Sequence, residues 1–270
     1  MFKTLDDPIA LNAHDYGISN PTVGWIENGL IENCYDLPYK TNKYWFCRIL
    51  AGSWVDWYQG MKLQNSDIVV NNGRLYRVIG DVDGREYIST IPPEHETGYE
   101  TIEGIKWYKL QDGAIYNAGC RNIHFKNIFF KRDRYDFFRF QFDMNKWSRS
   151  YYPGSIAPVQ RNFIFENIHV ESKCLNFIYT LTPIENIKVI NSDWFGNFLA
   201  SGRNGGELEH PINLSLDKVR FISPDITFHA KENRSILLDI SNSTTNNGNT
   251  KLAVDGEVQV VKTNLPFTSN

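Results

Sequence analysis

The residues best suited to chemistry in this sequence are concentrated between positions 131 and 155, in the stretch KRDRYDFFRFQFDMNKWSRSYYPGS. It mixes arginines, aspartates, tyrosines and a tryptophan. Aromatic faces pack on the C–H surfaces of sugars, and the arginine fork binds carboxylates with paired hydrogen bonds. The stretch therefore predicts either a sugar-binding surface or an interface between subunits. Within it, Phe138, Phe140 and Phe142 alternate, which favours a strand that points them into a core.

Glycoside hydrolysis would need two carboxyl groups, about 5–5.5 Å apart for a retaining enzyme or about 6.5–9.5 Å apart for an inverting one. We predict Asp136 and Glu171 as the first catalytic pair, with Asp133 in reserve. Further carboxyl candidates are Glu166, Asp193, Glu207 and Glu209. A lyase would instead need a base near a cation that neutralises a uronate carboxylate, and Arg132 or Arg139 could be that cation. Hydrolysis, elimination and binding without cleavage all remain open.

The predicted substrate-binding residues lie mostly around the same stretch. Stacking on sugar rings is predicted for Trp147 and Tyr151, and an anionic-sugar clamp for Arg134 or Arg139. Trp57 belongs to a second aromatic cluster, GSWVDWYQG. It either packs against the surrounding segment or adds another stacking surface.

Neither a metal site nor a cofactor is predicted. The four cysteines are scattered without a CxxC pair, which predicts buried free thiols rather than a zinc site or a disulfide framework. His95 and His124 lack metal-like partners nearby and are interpreted as structural. The segment GRNGGELEH is glycine-rich, but no helical pattern follows it, so it does not predict a phosphate loop.

A repeated strand must position these residues. The spacing Asn-x4-Asn recurs in NGLIEN, NIHFKN, NFIFEN and NIKVIN, with a degenerate copy, NLSLDK, starting at Asn213. Two of the copies are also preceded by arginine, in RNIHFKN and RNFIFEN. The last four copies begin 40, 24 and 27 residues apart. A period of about 20 to 50 residues is typical of a solenoid.

Apolar and polar residues alternate within each copy, a period of two that is typical of strands. The apolar pairs are Ile123 and Phe125, Phe163 and Phe165, Ile187 and Val189, and Leu214 and Leu216. The spacing predicts an all-β fold, a right-handed parallel β-helix in which asparagines of successive coils hydrogen-bond along the axis. The 40-residue repeat is longer than its neighbours, so its extra length is expected to leave the coil as a loop within the stretch 131–155, and loops are where function concentrates.

A long break separates the first copy of the repeat from the second. Within it, VVNNGRLYRV predicts a hairpin with its turn at Asn72-Gly73, and IKWYKL predicts a closing strand. We predict first coils over 1–52, an inserted small β-module over 53–112, main coils over 113–234 and a cap over 235–270. The cap is expected to end in a hairpin.

Composition excludes several classes of protein. The net charge of −3 and the pI near 6.1 argue against a nucleic-acid partner. Apolar runs stay well below the roughly 18 residues that span a bilayer, so no membrane insertion is predicted. The start, MFKTLDDPIALNAHDYG, lacks a basic region followed by an apolar run, so no signal peptide is visible and synthesis in a cytoplasm is expected.

Two features resemble known phage proteins. The module, with its SDIVVNNGRLYRV opening, PPEHETG middle and IKWYKL close, resembles a small β-module of bacteriophage tail and tailspike proteins. The flanking coils resemble the pectin-lyase-like right-handed β-helix of phage tailspikes and pectin-degrading enzymes. Together they resemble the body of a tailspike or capsular polysaccharide depolymerase, or a fragment of one. The resemblance implies a homotrimer on the virion tail that binds, and often cleaves, bacterial surface polysaccharide.

Three functions are therefore open. The chain could be a tailspike depolymerase, a glycoside hydrolase or lyase that acts on capsule or lipopolysaccharide. It could be a tail protein that binds receptor or assembles without cleaving. It could also be a secreted β-helix hydrolase or lyase unrelated to phage. In each case the site is expected along the coils between the second and fourth copies of the repeat.

Overall fold

The computed structural model describes residues 7–15, 17, 21–39, 43–81, 84–142, 149–202, 211–248 and 250–267. These residues form an all-β structure with a single short 3-10 turn, Asn246–Gly248. The first strands are β1 (Ile9–Asn12), β2 (Ile26–Asp36), β3 (Cys47–Leu50), β4 (Gly52–Ser53) and β5 (Val55–Asp56). The next are β6 (Met61–Leu63), β7 (Ile68–Asn71), β8 (Arg74–Val78), β9 (Tyr87–Ser89), β10 (Tyr99–Ile102) and β11 (Ile105–Asp112).

Thirteen further strands follow. They begin with β12 (Asn117–Ala118), β13 (Cys120–Phe130), β14 (Asp136–Gln141), β15 (Arg161–Val170), β16 (Asn176–Thr180), β17 (Asn186–Ile190), β18 (Asp193–Trp194) and β19 (Asn197–Ser201). They end with β20 (Ile212–Asp217), β21 (Arg220–Phe221), β22 (Asp225–Ser241), β23 (Thr244–Thr245) and β24 (Lys251–Lys262).

Twelve strands form one large sheet of parallel neighbours, in the order β1-β3-β14-β16-β19-β22-β20-β17-β15-β13-β2, with β24 added to β22. Successive strands of this sheet alternate along the chain between two columns, so that each coil contributes one strand to each column. Column A is β2, β13, β15, β17, β20 and the second half of β22; column B is β1, β3, β14, β16, β19 and the first half of β22. Because β22 belongs to both columns, the sheet curls nearly into a barrel or solenoid. The predicted all-β class and the parallel stacking of the repeated strands are confirmed.

The alternating apolar residues of column A line the core, as predicted. Ile123 pairs with Phe163, Phe163 with Ile187, and Ile187 with Leu214, and each is at most 1 % exposed. Two positions further along these strands, the rings of Phe125 and Phe165 stack face to face with their centroids 5.1 Å apart. Burial of each large apolar side chain contributes about 1.5–3 kcal/mol, so these rows hold successive coils together.

The repeated asparagines form two rows of side-chain hydrogen bonds along the axis, which confirms the predicted ladder. The first row is Asn28, Asn122, Asn162, Asn186 and Asn213, with Nδ2–Oδ1 distances of 2.8 to 3.2 Å. The second row is Asn33, Asn127, Asn167 and Asn191, at 2.7 to 3.1 Å. Seven of these nine have φ between 48° and 58°. Asparagine tolerates this left-handed conformation better than other residues with a side chain, so the repeat serves both backbone and amide.

We expect Asn167→Ala to lower the free energy of unfolding by about 2–3 kcal/mol. It removes the bonds to Asn127 and Asn191, worth about 1 kcal/mol each, and places a residue with an apolar Cβ at φ 55°, which costs roughly 1 kcal/mol more. Asn167→Gly keeps the backbone conformation accessible and should lose less. Denaturant unfolding of the three proteins measures both effects, and equal losses in the two variants would contradict the backbone role.

The stretch 131–155 divides into two parts, of which the first stays in the coil. The pairing of Asp136 with Asn176 and of Phe140 with Thr180 keeps the 40-residue offset that begins at the start of β13. The extra length of this repeat therefore follows Gln141, the last residue of β14. The connection from β14 to β15 spans residues 142–160, of which 143–148 lie outside the described residues. The three alternating phenylalanines of β14 and its end are buried, as predicted.

Strands between residues 55 and 112 form sheets of their own. β10, β11, β8, β7 and β5 make a five-stranded sheet in that order, and β6 pairs with β9. The hairpin predicted at Asn72-Gly73 is confirmed: β7 and β8 are antiparallel, and both turn residues have positive φ. This agrees with the preference of Asn-Gly for two-residue hairpin turns.

The hairpin predicted near the C-terminal end is wrong for the described residues. β24 instead runs parallel to both halves of β22 and adds another coil. The reason is that SILLDIS continues the apolar alternation: Ile236, Leu238 and Ile240 extend the buried rows of β20. A continuing apolar row is stabilised by one more parallel strand, not by a reversal of the chain.

The four cysteines are buried and unpaired, as predicted. Burial raises the pKa of the Cys120 thiol to about 12 and raises those of Cys47 and Cys174 as well. Among the residues that the structure describes, no cluster of His, Cys, Asp and Glu has a metal-binding arrangement. The described residues also include no helix long and apolar enough to cross a membrane.

Candidate functional site

The predicted catalytic carboxyl groups lie in different environments. Asp136, at the start of β14, is 2 % exposed and bonds to Arg139 at 2.9 Å and to Asn176 at 2.7 Å. Burial raises the pKa of the Asp136 carboxyl, against the opposing effect of these two bonds. Glu171 follows β15 on the surface, where it forms an ion pair with Lys131 at 3.2 Å.

The structure does not make these carboxyl groups neighbours on adjacent coils. Asp136 is the register partner of Asn176, whereas Glu171 bonds through its backbone and side chain to residues 130 and 131. The two carboxylates are therefore separated by several positions along the coil as well as by one coil. Asp133 is also on the surface, where it pairs with Lys43 at 3.4 Å and accepts a bond from the Lys173 backbone at 2.9 Å. Their catalytic role stays a prediction.

Arg134 and Arg139 occupy contrasting positions. Arg134 is buried, with two 2.8 Å bonds to Asp36 and a third, at 2.9 Å, to the carbonyl of Trp45. Arg139 lies on the outer side of column B. Its guanidinium carbon lies 4.8 Å from the centroid of the Trp45 ring and 4.2 Å from that of Tyr179. All three of these bonds of Arg134 are to groups inside the protein. Arg139 contacts the rings of Trp45 and Tyr179 and bonds to Asp136.

The remaining predicted binding residues are dispersed. Tyr151 stacks on Phe142 with ring centroids 4.8 Å apart, and Trp57 donates to the Ser89 hydroxyl at 2.9 Å. Asp193 pairs with Arg220 at 2.8 Å. Trp147, Glu207 and Glu209 lie outside the described residues. The predicted stacking and clamping residues are thus not shown to form one surface.

The structure also has a cavity whose lining contains none of the predicted catalytic or binding residues. It has a volume of about 300 Å³ and is lined by Trp25, Asn117, Arg121, Ile156, Ala157, Val159 and Arg161. We call this cavity the arginine pocket. Its volume is at the lower end of the range for small-molecule sites, roughly 300–1,000 Å³. Both charged residues in its lining are arginines, and its walls are otherwise apolar apart from one amide.

Two consecutive coils position the arginines of this pocket. Arg121 is the second residue of β13 and Arg161 the first of β15, and the two are register partners in parallel strands. Adjacent strands lie about 4.8 Å apart, so both side chains emerge close together at the same end of column A. The guanidinium of Arg121 lies 5.2 Å from the ring centroid of Trp25, the residue before β2.

Gln160 connects the two strands that carry the arginines of the pocket. It is fully buried, accepts a bond from the Cys120 backbone at 2.9 Å and donates to the Thr182 hydroxyl at 2.6 Å. Because Gln160 immediately precedes Arg161, these bonds hold the starts of β13 and β15 in register. Ile156, Ala157 and Val159, from the connection between β14 and β15, also line the pocket, and Ile156 is 80 % exposed.

A second group of polar residues lies on the outer side of column A. Glu166 approaches His124 at 3.0 Å and Lys126 at 3.5 Å, and all three are partly exposed. By register, Lys126 also faces Glu32 on the preceding coil. The cluster therefore places a histidine, a carboxylate and a cation together on the sheet surface, three to five positions along the strands from the arginine pocket.

Sequence reasoning missed the arginine pocket, although one signal pointed to it. The arginine before asparagine in RNIHFKN and RNFIFEN repeats at the same position of successive coils. A repeated charged residue at one strand position predicts a column of like charge, which is destabilising unless something compensates it. The contribution of Trp25 and of residues 156–159 carries no comparable signal, because it depends on how distant segments meet.

Comparison with known proteins adds no relative to this picture. No protein-family model, no curated protein and no solved structure matches the chain. The geometry and chemistry of the arginine pocket and of the outer cluster are therefore the basis for assigning a function.

Proposed function

We propose that this chain is the body of a tailspike-type phage protein, a right-handed, pectin-lyase-like β-helix that binds bacterial surface polysaccharide such as capsule or lipopolysaccharide. The observation that carries the proposal is the arginine pocket, in which Trp25, Arg121 and Arg161 line one cavity on consecutive coils. A bound saccharide would lie along the coils, with part of the chain inserted into this pocket. Homotrimer assembly and a place on the virion tail belong to the same proposal.

The pocket has the groups that a saccharide needs. The indole of Trp25 and the side chains of Ile156 and Val159 offer apolar surface to the C–H faces of a sugar ring. The amide of Asn117 and the guanidinium groups offer donors to ring hydroxyls or to an anionic substituent. A cavity of this size takes a short segment of a polymer, which suits a surface that binds a long chain at repeated points.

Cleavage is a second candidate function, and the outer cluster of His124, Lys126 and Glu166 favours it. A histidine close to a carboxylate is a recurring arrangement for proton transfer, and a neighbouring cation can stabilise developing negative charge. The cluster lies on the same sheet face as the arginine pocket. Release of unsaturated products absorbing near 235 nm would indicate a lyase, and new reducing ends without that absorbance would indicate a hydrolase.

Trimer formation is tested separately from binding. The tailspike resemblance implies three identical subunits in one assembly. Light scattering at micromolar concentration should give three times the mass of the 31.3 kDa chain. A strict monomer would contradict the phage part of the proposal and favour a secreted polysaccharide-degrading enzyme.

We expect Trp25→Ala to weaken polysaccharide binding about 30-fold, because truncation of a central aromatic residue in a binding site typically costs about 2 kcal/mol. The measurement is binding of the whole chain to capsular polysaccharides and lipopolysaccharides purified from a panel of bacteria, by biolayer interferometry. Tyr135→Ala is the matched control, since Tyr135 is 57 % exposed, lies within the stretch 131–155 and is outside the pocket lining. An unchanged affinity for Trp25→Ala with a loss for Tyr135→Ala would move the site to that stretch.

A further inference from the structure

We infer that the arginine pocket selects an acidic sugar whose single carboxylate lies between Arg121 and Arg161. The inference rests on the proposed function and adds the chemical class of the saccharide. It follows from how the two arginines are held, from the charges around them and from the apolar residues in the same lining.

The two guanidinium groups are anchored on opposite sides. Arg121 bonds through Nη2 to Glu27 on the preceding coil at 2.5 Å, and Arg161 pairs through Nε with Glu185 on the following coil at 3.1 Å. The row along the axis is therefore Glu27, Arg121, Arg161, Glu185, with both cations in the middle. Each partner draws its arginine away from the other, which leaves a space between two like charges.

These anchors leave donors for a ligand. Each bond occupies one nitrogen of a guanidinium that carries five N–H groups. Planar guanidinium groups bind carboxylates through paired N–H donors, and a carboxylate between two of them also relieves their mutual repulsion. The pocket lining contains both arginines but neither Glu27 nor Glu185, so an entering anion meets the cations first.

The charge count favours a carboxylate over a phosphate. The charges of the two arginines and the two glutamates in the row sum to zero. A ligand with one negative charge is therefore repelled less at this site than a ligand with two. A phosphate monoester carries about −1.5 to −2 charges at neutral pH, which would bring it into stronger repulsion with Glu27 and Glu185. A sugar carboxylate carries one negative charge, and its two oxygens match the paired N–H donors of a planar guanidinium group.

The apolar wall indicates that the anion is carried by a sugar ring. Trp25 already has Arg121 near its indole ring, and Ile156 and Val159 add apolar side chains to the lining. A free inorganic anion would use only the arginines. A ring attached to the carboxylate would also cover the exposed side chain of Ile156 and accept or donate a bond at Asn117.

The experiment compares three small probes that differ only at carbon 6 of the sugar: the methyl glycosides of glucuronic acid, of glucose and of glucose 6-phosphate. Binding is followed in the full chain by the indole N–H signal of Trp25 in ¹⁵N NMR spectra, assigned with Trp25→Phe. We expect the glucuronide to shift the signal at millimolar concentration, and the glucoside and the phosphate to bind at least tenfold more weakly. Arg161→Gln should weaken glucuronide binding about tenfold or more, on the scale of one charge-assisted hydrogen bond.

Arg220→Gln is the matched control variant. Arg220 is exposed and ion-paired with Asp193, as Arg161 is with Glu185, but it lies outside the pocket lining. Its glucuronide affinity should stay unchanged. Equal binding of glucuronide and glucoside would overturn the acidic-sugar inference and leave saccharide binding intact, whereas stronger binding of the phosphate would replace the carboxylate by a phosphate. A Trp25 signal that none of the three probes moves would overturn both the inference and the proposed site.

Discussion

Arg134→Met should lower the free energy of unfolding by about 3–5 kcal/mol without a direct effect on saccharide binding. The side chain of Arg134 is fully buried, and that of its partner Asp36 is 1 % exposed. Their two bonds of 2.8 Å, with the third bond from Arg134 to the carbonyl of Trp45, satisfy charges that have no access to water. Removal of one member leaves a buried carboxylate without compensation, which is the costly case for ion pairs.

Two further variants separate the charge effect from the loss of packing. Arg134→Met combined with Asp36→Asn removes both charges, so it should recover part of the lost stability. Lys43→Ala breaks the exposed pair with Asp133 in the same region and should change the unfolding free energy by no more than about 1 kcal/mol. Tryptophan fluorescence in a urea titration measures all three variants. A stable Arg134→Met that binds polysaccharide weakly would instead support the sugar-clamp role predicted from the sequence.

The second large effect is expected at Arg149, and it should depend on pH. Arg149 lies in the connection between β14 and β15. It forms two bonds to Asp67, one of them at 2.7 Å. Asp67 belongs to the segment between β6 and β7, so this pair connects that segment to the connection between β14 and β15. Burial raises the pKa of Asp67 to about 6, although the bonds to Arg149 and to the Gln64 backbone oppose that shift.

The sign of the pH dependence follows from that pKa. The folded state holds the Asp67 proton more tightly than the unfolded state, whose carboxyl has the ordinary pKa of 3.8. Ionisation of this group therefore costs stability as pH rises, and its contribution to the unfolding free energy increases as pH falls from above 6 towards 3.8. Below 3.8 both states are protonated and the contribution no longer changes.

Arg149→Met should destabilise the protein by about 3–5 kcal/mol at pH 8, because the Asp67 carboxylate then stays buried without its partner. The defect should shrink as pH falls from 8 towards 6, because loss of Arg149 raises the pKa of Asp67 above its value of about 6 in the parent protein, and protonation removes the uncompensated charge. Unfolding free energies measured between pH 5 and 8 test this. In Asp67→Asn the pH dependence due to this group should be absent, and a defect in Arg149→Met that stays constant over the range would contradict the assignment.

The sequence by itself determined the repeated strands and their inner face. Period-two alternation identifies the side chains that point into a core, and Ile123, Phe163 and Ile187 are accordingly stacked in one buried row. Asparagine at a fixed spacing marks positions that favour a left-handed backbone, and seven of the nine repeated asparagines have positive φ. Both signals are local, because they depend only on strand geometry and on the conformational preference of one residue.

The tertiary structure decided which outward residues are exposed and which meet. Alternation assigns a side of the strand, but it does not show whether another segment covers that side. Arg134 belongs to the most highly charged stretch and is nevertheless buried, because Asp36, 98 residues away, accepts its bonds. The arginine pocket depends likewise on Trp25 and on residues 156–159 meeting the starts of β13 and β15. Such contacts arise from the stacking of coils and the path of the connecting segments, so they have no period that a sequence could display.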